Sequence, residues 1–124
     1  MKADARPATA ADGVAPSIPT ACAALADETR WAILVRLGTA PASASALAAE
    51  MPVSRQAIGK HLAVLRDTGL VEAERVGREV RFVAVGSELS RIGRAIESVA
   101  AGWDRRLGRL KAQAEKDDSE APRP

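Results

Sequence analysis

The chain carries one apolar stripe too long for a body of its size to cover. Leu89, Ile92, Ile96, Val99, Trp103, Leu107, Leu110 and Ala114 step by 3, 4, 3, 4, 4, 3 and 4. That spacing predicts a helix over residues 88–115, roughly seven turns long with one apolar face. Arg91, Arg94, Glu97, Arg105, Arg106 and Arg109 lie off the stripe. The whole chain has 124 residues, the size of a single domain. The unspent part of the stripe therefore asks for a partner, which a second copy of the same chain supplies most simply. Leu89, Ile92, Ile96, Val99, Trp103, Leu107 and Leu110 are the candidate homodimer contacts.

The remaining segments are short and sharply punctuated. Residues 20–26 are apolar and helix-prone. Asp27 can cap a second helix over residues 28–37, with Glu28 in its positive first turn. Trp31, Leu34 and Leu37 would form its buried face, widened by Ile33 and Val35, and Gly38 is a stop signal. Ser43 or Ser45 can cap a third helix ending at Glu50, before Pro52 breaks the chain. Ser54 caps a fourth over residues 55–68, with Ile58, Leu62 and Leu65 inward and Gly69 closing it. Two β-branched runs then flank Gly77 and Arg78, a hairpin signal. Val80, Phe82 and Ala84 would share one face of it, and Arg81 and Val83 the other. Trp31, Trp103 and Phe82 are the only aromatic residues, so the core has to be aliphatic.

Residues 1–17, rich in Ala, Pro, Asp and Thr, and residues 116–124 show no hydrophobic period and read as disordered tails around a domain at 18–115. The expected fold is mainly α: about five helices plus a two-stranded β-hairpin.

Helix, short break, helix and hairpin, in that order, make a winged helix-turn-helix. The turn at residues 51–53 sets two helices at a large angle, so the second stands clear and can enter a DNA major groove. Its first turns present Ser54, Arg55, Gln56, Gly59 and Lys60 away from the apolar face. Arginine can bridge two acceptors of guanine and glutamine can pair with adenine. Lys60 and the capped amides at Ser54–Gln56 suit phosphate. Arg78, at the hairpin tip, stands where a wing meets the backbone or minor groove. Net charge is only +2, but residues 54–85 hold six Lys/Arg against four acids, whereas residues 20–53 hold two against three. The basic excess begins where the motif begins.

These residues resemble the ArsR/SmtB-like family of bacterial regulators. The stretch Ala26, Asp27, Glu28, Thr29, Arg30, Trp31, Ala32, Ile33, Leu34 matches that family's second helix. Residues 54–65, from Ser54 through Ala57, Ile58, Lys60, His61 and Leu62 to Leu65, match its recognition helix. Residues 66–71 and the wing at 74–82 match too, and the likeness runs over about residues 20–112. It implies a winged-helix dimer built on the first and last helices, which adds Leu25 to the interface candidates. It also implies a repressor that occludes a promoter at a pseudo-palindromic operator. One position departs: Gly59 stands where the family more often has serine.

Many such relatives sense metals through cysteines on the third helix, or His and carboxylates on the last. Here residues 43–53 hold no Cys, His or Asp, and the last helix holds no His. One Cys and one His per chain fall short of a zinc or thiophilic site, so neither metal nor cofactor is expected.

His61 has no visible partner or pocket for acid–base work, and serves as a structural hydrogen-bonding group or a phosphate contact. Cys22 packs in the first helix or touches the partner copy; alone, it forms no intrachain disulfide. Arg30 either caps or pairs within the chain or reaches a phosphate.

No phosphate loop, metal cluster or nucleophile–base pair points to an enzyme. No apolar run approaches the roughly 20 residues of a membrane span, and no apolar core follows Lys2, so a cytoplasmic protein is expected. Two alternatives remain: a winged helix used as a protein-docking module, and a regulator gated by a small molecule.

Overall fold

A computed structural model of the chain describes residues 16–120. The first four helices each start where a side chain satisfies a free amide. Ser17 caps α1 (Ile18–Leu25), accepting from the Thr20 amide at 3.2 Å. Asp27 caps α2 (Glu28–Leu37), accepting from the Arg30 amide at 2.9 Å. Ser43 caps α3 (Ala44–Glu50), and Ser54 caps α4 (Arg55–Asp67), each at 3.1 Å. Helix α4 ends in a Schellman motif: the Leu70 amide donates to Leu65 O at 2.9 Å and the Gly69 amide to Arg66 O at 3.0 Å. Gly69 takes φ +78° there, which L side chains resist.

Strands β2 (Val71–Val76) and β3 (Glu79–Ala84) pair antiparallel, with Val76 opposite Glu79. The two-residue turn puts Gly77 at φ +64° and Arg78 at negative φ, the sign pattern of a type II′ turn. A third strand, β1 (Ala42–Ser43), pairs with β3 through Ala42–Phe82 and Ser43–Arg81, giving the order β1-β3-β2. The sequence reading of a two-stranded wing missed it. Helix α5 runs Gly86–Glu120.

Among the described residues, 16–92 form one body. Its core is aliphatic, as expected: Ile33, Leu47, Ile58, Leu62, Leu65, Leu70 and Val71 are each at most 1% exposed. Fully burying a side chain of this size contributes about 1.5–3 kcal/mol. Three expectations need correction. Trp31 is 49% exposed; Ile33, Leu34 and Leu37 carry the buried face of α2. Trp31 lies at the edge of that stripe, beside Val35, Leu89 and a small apolar depression of about 200 Å³. Ile92, expected at an interface, is 2% exposed and spent in the body's own core. Pro16 and Ser17, expected in a tail, belong to the body: Ser17 caps α1, and Pro16 O accepts from Arg91 Nη2 at 2.8 Å.

The second unit is the rest of α5, from Gly93. Along it Ile96, Val99, Trp103, Leu107 and Leu110 are 54–66% exposed. The helix persists through residues 116–120, where the sequence suggested a disordered tail. Asp117 there accepts from Gln113 Nε2, one turn back, at 2.8 Å. The expected tails at 1–15 and 121–124 lie outside the described residues.

Candidate nucleic-acid interface

The second helix of the pair is amphipathic by register. Ile58, Leu62 and Leu65 go into the core, which turns Arg55, Gln56, Gly59 and Lys60 outward; all four are exposed. Ser54 is also exposed and is spent on the cap. At Gly59 an added Cβ would meet nothing within 4 Å, so the body does not require glycine there.

The turn that leads into α4 is anchored by hydrogen bonds on the preceding helices. At the surface, Arg36 of α2 donates to Glu50 Oε1 at 2.7 Å and Oε2 at 3.2 Å, and to Ala40 O at 2.9 Å. These bonds tie the end of α3 to α2 just before the turn. They hold the Glu50 carboxyl below the ordinary carboxylate range and raise the Arg36 guanidinium further. The turn is closed by Met51 N donating to Leu47 O and Val53 N to Met51 O.

His61 does not join the exposed groove face. It is half-buried, and its Nδ1 lies 3.3 Å from Arg30 Nη1 and 3.9 Å from Asp27 Oδ1. A guanidinium only donates, so Nδ1 accepts in that bond. Arg30 also donates from Nε to Ala24 O at 2.6 Å and from Nη2 to Ala23 O at 3.5 Å. One arginine thus satisfies carbonyls at the end of α1 and reaches across to α4. Of the two roles open to Arg30 in the sequence, the structure gives the intrachain one. The Arg30 amide, helped by the nearby Arg30 guanidinium, holds the Asp27 carboxyl below its usual value. The sequence signal was the capping Asp27 itself; nothing local in the sequence pointed across 31 residues to His61.

Arg78 is exposed on the hairpin tip. It lines a groove of about 440 Å³ together with Ser43, Ser45 and Arg55, so wing and recognition helix share one concave surface. Ser45, weighed in the sequence only as a cap, instead accepts from Arg55 Nε at 2.9 Å. Because Ser43 takes the cap, the second hydroxyl is free to do so.

Among the described residues, no three His, Cys, Asp or Glu side chains gather as a metal ion would need. Cys22 is a half-buried free thiol on α1. No described helix is long and apolar enough to cross a membrane.

A helix-turn-helix domain family matches residues 25–74, the stretch from the end of α1 to the middle of β2. An ArsR-like transcriptional regulator from Rhodococcus sp. RHA1 superposes with TM-score 0.74 at 54% identity, covering 78% of this chain and 92% of that one. The chain belongs to the ArsR family of winged helix-turn-helix transcriptional regulators.

The transcriptional regulator CmtR of Mycobacterium tuberculosis is 40% identical over 79 residues, 63% of this chain and 67% of its own length. A solved structure described as a possible transcriptional regulator for arsenical resistance is 31% identical with TM-score 0.58, over 73% of this chain and 92% of that one. Membership makes this ArsR-family chain a DNA-binding regulator of transcription rather than an enzyme.

Proposed function

We propose that the chain is a homodimeric repressor that binds a pseudo-palindromic operator. The observation that carries the reading is the outward face of α4. Gln56, Gly59 and Lys60 stand exposed on a helix fixed by the core from behind and flanked by Arg78 on the wing. A rigid helix with a short polar-basic face fits a major groove, which admits one α-helix. Lys60 and Arg78 then serve phosphates, and Gln56 reaches base edges.

The dimer rests on the exposed stripe Ile96, Val99, Trp103, Leu107 and Leu110 of α5, with exposed Leu89 and half-buried Leu25 as further candidate contacts. A face this apolar is costly to leave in water, and a second copy covers it with an identical face. Two recognition helices so joined read two half-sites one helical turn apart. Occlusion of a promoter is the simplest regulatory act of such a dimer.

The test begins with duplexes selected from a random pool by the full chain. Fluorescence anisotropy then compares the selected duplex with a scrambled one at two salt concentrations. The reading expects tight, salt-weakened binding to the selected duplex alone. Gln56→Ala should relax base preference, and Lys60→Ala should weaken both duplexes and lower the salt slope by about one. Folded, dimeric protein that selects no duplex contradicts it.

A further inference from the structure

The groove between wing and recognition helix holds more than the expected residues, and one of them sits differently from what its position suggests. Arg55 is the first residue of α4, where the sequence alone makes it a base reader. Its Nε is held by Ser45 Oγ at 2.9 Å, drawing the guanidinium back toward α3. There it lines the same groove as Arg78 from the wing.

Glu79 lines the groove too and would repel an anion. Its Oε1 accepts from Arg81 Nε at 2.8 Å, so that charge is already matched. The polar surface left over is two exposed guanidiniums and the Ser43 and Ser45 hydroxyls, supplied by α3 with its cap, α4 and the hairpin tip around a space of about 440 Å³. Paired guanidiniums suit a singly charged, oxygen-rich group, and Arg forks bind phosphate oxygens in two-point fashion.

We infer that Ser45, Arg55 and Arg78 form one phosphate clamp that grips the DNA backbone between wing and recognition helix, so that Arg55 positions the duplex and base reading falls to Gln56. This rests on the DNA-binding reading above and divides its labour differently from the sequence expectation. Ser45 is the new member. Its hydroxyl keeps Arg55 in the groove, a positioning role.

The test uses the full-length chain, a selected duplex, and a panel of that duplex with single base-pair changes. Arg55→Ala should lower affinity roughly tenfold for selected and scrambled duplexes alike. The salt slope should fall by about one, and the rank order of the panel should stay unchanged. Ser45→Ala should move affinity the same way by less, and Arg55→Lys should keep the rank order. Circular dichroism checks that each variant is folded. If Arg55→Ala instead reorders the panel at one base position and leaves the salt slope intact, Arg55 reads a base and the clamp is wrong. Failure of the larger reading looks different: the unsubstituted chain selects no duplex, and the clamp falls with it.

Discussion

Two sets of apolar residues in this chain follow helical spacing and meet opposite fates. In the body, Ile58, Leu62 and Leu65 of α4 step by 4 and 3 and are at most 1% exposed. Along α5, Val99, Trp103, Leu107 and Leu110 step by 4, 4 and 3 and are at least 54% exposed. Periodicity states that a face is apolar and leaves open what covers it. For α4 the cover is the chain's own α2, α3 and sheet. For α5 it is, on the account above, another copy. The two regions should therefore respond to substitution in different currencies: folding free energy in one, association in the other.

The largest effect is expected in the body. Leu62→Ala should destabilise it by about 2–5 kcal/mol, read from urea denaturation, because the cavity cannot collapse fully. Next comes the stripe. Joint replacement of Leu107 and Leu110 by Glu should leave helical circular dichroism largely intact while sedimentation shows monomers and half-site spacing is lost. A collapse of the fold instead would mean the stripe is part of a core and erase the distinction.

A third effect acts on the body through pH. The carboxyls of Asp27 and Glu50 have folded pKa values held below their ordinary ones by the Arg30 amide and by Arg36. Their contribution is present above the ordinary carboxylate range and is lost as pH falls through the depressed values. Both are solvent-accessible, so the loss should be modest and weakened by salt. Asp27→Asn should flatten the acid side of the stability profile; an unchanged profile would remove the cap from the account. The smallest effect sharpens the boundary between fold and function. Gly59→Ala should stabilise α4 by up to about 1 kcal/mol, since nothing crowds the position. If operator affinity falls while thermal stability rises, the backbone at Gly59 approaches DNA closely.

Much of this was legible in the sequence because the chain marks its own boundaries. Asp27 and Ser54 cap the helices they were expected to cap, Ser43 is the one of two candidate serines that caps α3, and Gly69 and Gly77 sit at positive φ where a helix closes and a hairpin turns. What escaped was long-range or too short to have a period. The β1 strand is two residues, Ala42–Ser43, with no alternation to see, and exists only because β3 offers it an edge. Trp31 looked like core because it is large and in step with Leu34, yet it falls at the stripe's margin. Ile92 belongs to the same stripe as Leu107, but it lies close enough to the body to be consumed by it. Of the DNA-facing candidates, Arg55, Gln56, Gly59 and Lys60 were placed outward by register alone. His61 was not assigned to Arg30, nor Arg55 to Ser45, since side-chain pairing across elements leaves no trace in local spacing.

The central claim is that the exposed stripe of α5 joins two copies so that two α4 helices address one duplex. Hydroxyl-radical footprinting of the full-length chain on a selected duplex tests it most directly. The account predicts two protected half-sites, related by a two-fold axis and centred about one helical turn apart. A single asymmetric patch of protection, from protein bound at saturation, would contradict it.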